Sequence, residues 1–159
     1  MKKYFYLCLI ALGCMLTFSA CGSNDDDPTL EDIERAAEQG DADIAATLQD
    51  NGNELVIFYT SSIGSYKATA KGVYTFDGSS DDSQCIKAIL TETYPSAEIA
   101  KAVFDLEDEE DKINGTVKLN GKQVIIDFTN DFKGMPKAEI KKYLEEEIKY
   151  LQEEMNHNH

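Results

Sequence analysis

The sequence predicts an α+β domain in which a four-stranded, mostly antiparallel sheet, formed by two hairpins, is covered on one face by helices. Three observations predict this class. Residues 66–77 alternate between two faces, as a half-buried strand does. Asn120-Gly121 separates two further alternating segments, which indicates a second hairpin. The segment after Pro136 repeats apolar residues at steps of three and four, which is the period of an amphipathic helix.

The first hairpin is predicted to join residues 55–59 to residues 66–77. The segment 55–59 is apolar on both faces and rich in strand formers, which indicates a central strand. Residues 61–65 connect the two strands. In the second strand one face carries Tyr66, Ala68, Ala70, Gly72, Tyr74 and Phe76, and the other carries Lys67, Thr69, Lys71, Val73, Thr75 and Asp77.

The second hairpin is predicted to turn at Asn120-Gly121, with φ > 0 at both residues. This turn sets the strand register, and the apolar residues of both strands then share one face. The predicted partners are Leu119 with Lys122, Val117 with Val124, Gly115 with Ile126, and Ile113 with Phe128. With the preceding elements this hairpin suggests a weak ββα repeat, residues 55–90 against residues 113–151.

Five helices complete the predicted order of helices, hairpin, helices, hairpin and helix. Their start signals are capping residues or a proline at the first turn. The predicted start and apolar face of each are Thr29 with Leu30, Ile33 and Ala37; Asp43 with Ile44 and Leu48; Asp81 with Ile86, Ile89 and Leu90; Pro95 with Ile99, Ala100, Val103 and Phe104; and Pro136 with Ile140, Leu144, Ile148, Leu151 and Met155.

A sheet covered on one face leaves its second face to water. We expect that face to be exposed and partly basic, and to bind a partner. The residues predicted there are Lys67, Thr69, Lys71, Thr116 and Lys118, together with Gln123.

The N-terminal residues have the order of a secretory signal. Lys2 and Lys3 precede an uncharged apolar run that ends in small residues before Cys21, and a polar stretch without a positive stop-transfer flank follows. The segment Phe18-Ser19-Ala20-Cys21 resembles the lipobox of bacterial lipoproteins, although the pattern prefers Leu where Phe18 stands. The resemblance implies cleavage before Cys21 and acylation of that residue, so that lipid chains anchor the protein to a membrane.

The resemblance implies a signal peptide (1–20) and an acylated cysteine with an acidic tether (21–28). Length and residue pattern predict one α+β domain (29–155) and a frayed tail (156–159) for the rest. Residues 23–27 resemble tethers that direct lipoproteins to the outer face of the outer membrane. We therefore expect the cell surface, with the periplasmic face of that membrane as the alternative.

Charge excludes some classes of partner. Removal of residues 1–20, which hold two lysines and no acid, leaves 13 basic against 30 acidic residues and a net charge of −17. A chain this acidic repels phosphate backbones and anionic head groups, so we expect no nucleic-acid partner.

Each candidate for chemistry has a simpler structural explanation. Cys85, the one cysteine expected to keep a free thiol after processing, has no base nearby in sequence and is expected to pack as a small apolar residue. Asp77, Ser79 and Asp81 have the spacing that opens a calcium loop, but Asp82 stands where Gly is needed and Ala88 where the bidentate Glu belongs. His157 and His159 make a poor metal site, and the acidic run 107–111 is expected to be a solvated turn.

No nucleotide-binding, serine-hydrolase or redox motif is present. We therefore expect no cofactor, no catalytic residue, and a non-catalytic protein of the cell envelope that binds a protein or polymer. The alternatives are a small carboxylate-dependent glycan hydrolase, which needs a pocket with two acids and one raised pKa, and an acidic inhibitor of a cationic enzyme.

Overall fold

Six strands form one antiparallel sheet in the computed structural model, which describes residues 42–157. The strands are β1 (Ala42–Asp50), β2 (Glu54–Ile63), β3 (Tyr66–Phe76), β4 (Cys85–Thr93), β5 (Val117–Asn120) and β6 (Gln123–Asp127). Their order in the sheet is β1-β2-β3-β4-β6-β5. The α+β class and the antiparallel sheet are confirmed, whereas the prediction of four strands is wrong.

Four helices belong to the described region: α1 (Ala97–Asp105), α2 (Glu109–Asn114), α3 (Thr129–Phe132) and α4 (Lys137–His157). The helices predicted from Pro95 and Pro136 are confirmed as α1 and α4. Ser96 caps α1, because its hydroxyl accepts a 3.3 Å hydrogen bond from the backbone N–H of Ile99. The signal peptide, Cys21, the tether and the helix predicted from Thr29 lie outside the described residues.

Strand β1 replaces the short helix predicted from Asp43. Ile44 and Leu48 are four residues apart, which fits one face of a helix and equally one face of a strand. In the structure they are half-buried and alternate with exposed residues, and all nine residues of β1 pair with β2. The pairing gives the apolar strand β2 a hydrogen-bonded neighbour on both sides, which a helix at 43–48 could not supply.

Strand β4 replaces the helix predicted from Asp81, and the ββα repeat is therefore wrong. Ile86, predicted to be buried, is 50% exposed, while Ala88 and Leu90 point into the core. β-Branched residues at alternate positions favour a strand here. A register shift between Thr75 and Phe76 places Phe76 opposite Cys85. Ile113, expected in a strand, lies in α2 and is 84% exposed.

The β5–β6 hairpin turns one residue later than predicted. Asn120 pairs with Gln123 and Leu119 with Val124, so the turn residues are Gly121 and Lys122. Gly121 has φ 58°, and no non-glycine residue of the described region has positive φ, which fits a type II′ turn with glycine first. The predicted register is therefore wrong by two residues. An even shift keeps the side chains of β5 and β6 on their predicted faces.

Six buried apolar residues of the helices belong to one cluster with the core residues of the sheet, on the side called the covered face below; they are Ile99, Ala100, Val103, Phe132, Ile140 and Leu144. Ile99, Ala100 and Val103 of α1 join the same apolar cluster as Val124 and Ile126 of β6. Ile140 and Leu144 of α4 belong to this cluster, and α4 also packs along β1. The rings of Tyr74, Phe128, Phe132 and Tyr143 extend the contact between the sheet, α3 and α4, with neighbouring centroids 5.1–6.4 Å apart.

Candidate functional site

The opposite side of the sheet, called the open face below, carries the side chains that alternate with the core residues. Of its apolar members, Val56 is 5% exposed, and Phe58, Val73, Ile89 and Ile125 are half-buried; none of them belongs to the apolar cluster. Within the described residues, no helix with a buried side chain packs on this face. None of the described helices is both long and apolar enough to span a membrane.

The structure places four of the five residues predicted to bind a partner on the open face. Lys67, Thr69 and Lys71 lie on β3 and are exposed, and Lys118 lies on β5. Register aligns Lys71 with Lys118 in one row across the sheet, with Thr91 and Ile125 between them. Gln123, on β6, also shares this face.

Thr116, the fifth predicted residue, lies before β5 rather than in it. Its backbone N–H and its hydroxyl both donate to the side-chain oxygen of Asn114. The side chain is therefore held in the turn after α2 and is not aligned with the lysine row.

The lysines of the open face differ from those of the helices. Lys67, Lys71, Lys87 and Lys118 have no carboxylate oxygen of a described residue within 4.0 Å. All six lysines of the described helices pair with an acid; they are Lys101, Lys112, Lys137, Lys141, Lys142 and Lys149. Lys87 was not predicted at this site, because its segment was interpreted as a helix.

Two contacts shape the charge on the open face. The ammonium of Lys71 lies 5.6 Å from the ring centroid of Phe58, which is within the range of a cation–π interaction. Asp127 accepts a 3.0 Å hydrogen bond from the N–H of Thr129, and its pKa is lowered by Thr129 first and then by Lys87 and Lys118. Asp127 therefore partly offsets the charge of Lys87 and Lys118, and Asp43 lies on the same face two strands from Lys67. The row of Lys71 contains no described acid.

A second polar cluster lies on the covered face, where α4 meets the sheet. The hydroxyl of Tyr59 donates a 2.9 Å hydrogen bond to Oε2 of Glu147. Burial raises the pKa of Glu147 to about 7, although the hydrogen bond from Tyr59 opposes that shift. Burial, followed by the charge of Glu147, also raises the pKa values of Tyr74 and Tyr143. This carboxyl group can therefore change its charge near neutral pH.

Glu92 is the second carboxyl group of the covered face. Its side chain is 0% exposed, and Oε2 accepts a 2.8 Å hydrogen bond from the hydroxyl of Tyr94. The register places Glu92 and Tyr59 in one row, with Ala70 between them. A carboxyl group without exposed surface cannot reach a polymeric substrate, so this pair of acids gives no support to glycan hydrolysis.

Cys85 packs at the start of β4 rather than at the start of a helix. It is 1% exposed, and its thiol donates a 3.4 Å hydrogen bond to the carbonyl of Lys87. Burial raises the pKa of this thiol, which disfavours the reactive thiolate.

The weak calcium candidates Asp77, Ser79 and Asp81 form hydrogen bonds that hold their loop in place. The carboxylate of Asp77 accepts from the N–H of Gln84 at 2.9 Å, and the carbonyls of Ser79 and Asp81 accept from Lys137 and from the N–H of Ala138. In the described region no group of three or more His, Cys, Asp or Glu side chains is arranged to hold a metal ion.

The open face combines ammonium, hydroxyl and apolar groups on exposed or half-buried positions. Among the described residues, no His or Cys side chain lies on it. The described part of this face also carries the carboxylates of Asp43, Glu54 and Asp127, so it is a mixed surface of charged and hydrogen-bonding groups. Comparisons of the chain with protein-family models, with curated proteins and with solved structures found no match.

Proposed function

We propose that this chain is a non-catalytic lipoprotein, anchored to the outer membrane through Cys21, that binds a protein or polymer partner on the open face of its sheet. The observation that carries the proposal is that the lysines of this face form no ion pair within 4.0 Å with a described carboxylate. A chain with twice as many acidic as basic residues has ample carboxylates with which to pair them.

Protection of a sheet edge does not explain these lysines. Lysine is generally depleted in strands, and it is common on edge strands, where it prevents unwanted pairing. Lys118 is on the edge strand β5, so that explanation suffices for it. Lys67 and Lys71 lie on β3, which has β2 on one side and β4 on the other. Binding of an external group explains their position better.

The anchor and the destination rest on the N-terminal sequence. Cys21 follows the lipobox-like residues, and the acidic tether precedes the folded domain. Substitution Cys21→Ala should abolish incorporation of labelled palmitate and release the protein from the membrane fraction. Substitution of Asp25, Asp26 and Asp27 by Ala should protect the protein from protease added to intact cells. Unchanged protease sensitivity would leave the lipid anchor in place but remove the tether as a surface signal.

Site-specific crosslinking tests the binding face. A photoreactive amino acid at Thr69 reports on the open face, and the same group at the exposed Glu146 of α4 reports on the helical side. In the native membrane, crosslinks to one partner should form from position 69 and not from position 146. Charge reversal at Lys67 and Lys71 should abolish them without changing the melting temperature. Crosslinks that form equally from position 146, or that survive charge reversal, would contradict the proposal.

A further inference from the structure

The open face carries a row of hydroxyl and amide side chains that crosses five strands. Strand register places Thr60, Thr69, Thr93, Gln123 and Asn120 side by side, one on each of β2, β3, β4, β6 and β5. The amide of Gln123 donates a 3.3 Å hydrogen bond to the hydroxyl of Thr93. Because neighbouring strands lie about 4.8 Å apart, the row offers one polar group at each such interval over a total length of about 19 Å.

Lysines stand on both sides of this polar row. Lys71 and Lys118 belong to the adjacent row on one side, three strand positions apart, or about 14 Å at the usual strand spacing. Lys67 stands on the other side of Thr69 along β3. A ligand lying along the polar row would therefore meet hydroxyl and amide groups beneath it and ammonium groups at its flanks.

We propose that the ligand of the open face is an extended acidic polysaccharide. It lies across the strands, along the polar row that begins at Thr60 on β2 and ends at Asn120 on β5. This inference rests on the proposed binding function. Hydroxyl and amide groups both donate and accept hydrogen bonds, as sugar hydroxyls require. Ammonium groups donate charge-assisted hydrogen bonds to carboxylate or sulfate groups. The strand spacing is comparable to the length of one pyranose unit, so successive sugars of the chain meet successive strands.

An acidic peptide fits this face less well. An extended peptide binds sheets chiefly by adding a strand at an edge, where backbone groups satisfy each other and pockets take alternate side chains. Lys67, Lys71 and the threonines instead point away from a sheet whose backbone groups already pair with neighbouring strands. A hydroxyl-rich ligand uses such side chains directly.

The negative charge of the whole chain does not prevent this binding at physiological salt. The exposed acids of α4 lie on the other side of the sheet, and packed layers are about 10 Å apart. The Debye length at 0.15 M salt is about 8 Å, so those charges are largely screened at the open face. Three described acids lie on the open face itself: Asp127 beside Lys87 and Lys118, Asp43 in the row of Lys67 and Glu54 in the row of Lys87, each two strands from its lysine. The row of Lys71 contains no described acid, so Lys71, with Lys67 beside it on β3, supplies the main positive contacts.

The test uses the full-length lipidated protein in detergent micelles, immobilised for binding measurements at 0.15 M salt. The anionic sugar probes are polygalacturonate, alginate and chondroitin sulfate; the matched controls are methyl-esterified polygalacturonate, which lacks the charge, and poly-L-glutamate, which lacks the sugar. At least one sugar polyanion should bind, and both controls should bind at least tenfold more weakly.

Substitutions test whether the ligand binds along the polar row. Lys67→Gln with Lys71→Gln should weaken binding at least tenfold, and Thr69→Val at least threefold, with unchanged melting temperatures. Lys142→Gln with Lys149→Gln changes the net charge equally on the outer side of α4 and should leave binding unchanged. Failure of all three sugars to bind, or equal binding of poly-L-glutamate, would overturn the polysaccharide proposal. The proposed binding function is tested separately, by the crosslinks from position 69.

Discussion

The hydroxyl of Tyr59 on β2 donates a 2.9 Å hydrogen bond to the carboxyl group of Glu147 on α4, 88 residues later in the chain. Glu147 faces the covered side of the sheet between the buried residues Leu144 and Leu151, a position that an apolar residue would usually occupy in an amphipathic helix. The titratable groups that interact with it are Tyr59, Tyr74 and Tyr143. Three neutral phenols surround one carboxyl group, so its protonation state affects how well α4 packs.

We predict that Glu147 makes the domain less stable as the pH rises through neutrality. Its pKa is about 7 in the folded chain against an ordinary value of 4.5, so the folded state binds the proton more tightly. Its stabilising effect is complete below pH 4.5 and is lost as the pH rises through 7. The difference amounts to at most about 3 kcal/mol.

Urea denaturation between pH 4.5 and 8.5 measures this effect. Glu147→Gln keeps an acceptor for Tyr59 but cannot ionise, so it should match the unmodified protein near pH 4.5 and exceed it in stability at pH 8.5. Glu146→Gln, on the exposed side of α4, is the control and should follow the unmodified protein. If the free energies of unfolding of the Glu147 variant and the unmodified protein changed with pH in parallel, Glu147 would not be the titrating group.

A second prediction concerns the buried ammonium of Lys137. It lies 2.7 Å from Oδ1 of Asp50 and 2.6 Å from the carbonyl of Gly52. Asp50→Asn should destabilise the domain by roughly 2 kcal/mol, because it removes a charged hydrogen bond from a buried cation. Urea denaturation at pH 7 measures the loss, and Asp82→Asn in the exposed loop serves as the control. Equal stability of the two variants would contradict the prediction.

The same contact predicts that the domain loses stability at low pH. Hydrogen bonds from Lys137 and then Lys141 lower the pKa of Asp50 from 3.8 to about 2. The stabilisation is therefore complete above pH 4 and is lost as the pH falls through 2. The gap in stability between Asp50→Asn and the unmodified protein should narrow as the pH is lowered from 4 to 2. A gap that stays constant over this range would show that Asp50 does not titrate there.

Gly72 is predicted to tolerate no side chain. A Cβ atom at this position would lie 2.8 Å from the γ2 methyl of Ile57, with Leu90 on its other side. Gly72→Ala should cost about 1–3 kcal/mol through overpacking. Ile57→Leu removes that methyl group, so the double variant should be more stable than the sum of the single effects predicts. If the double variant lost as much stability in thermal unfolding as the two single variants together, this clash would be ruled out as the cause.

The thiol count tests both burial and processing. Cys8 and Cys14 belong to the signal peptide and Cys21 is proposed to carry lipid, which leaves Cys85 as the one free thiol. The mature protein should show no reaction with a thiol reagent when native and one thiol per chain in urea; Cys85→Ser should show none in either state. Two thiols in urea would mean that Cys21 is not acylated, and a rapid native reaction would contradict the burial of Cys85.

Strong periodic signals predicted the correct elements. The alternation on β3 and the apolar stripe of α4 each persist over many residues, so tertiary contacts only reinforce them. Ile44 and Leu48 illustrate the opposite case, because a spacing of four fits a helix and a strand alike. Segment 81–90 combined a helix-capping pattern with β-branched residues, and pairing with β3 favoured the strand.

The same reasoning explains what could be predicted of the candidate site. Lys67, Thr69 and Lys71 were assigned to one face because alternation along a single strand determines it. Lys87 was missed because it depended on the incorrectly predicted segment. The contact between Tyr59 and Glu147 joins a strand to a helix across most of the domain, and no local pattern encodes such a pairing.

The contact between Asp50 and Lys137 also constrains when the chain can fold. It joins the end of the first described strand to the start of the last helix, 87 residues apart, and α4 packs along β1. Contacts of such sequence separation slow folding, because a long loop must close before they form. During synthesis β1 therefore lacks its packing partner until α4 is complete. In a chain proposed to be exported across the inner membrane, the packing of α4 on β1 could therefore form only after α4 has been made.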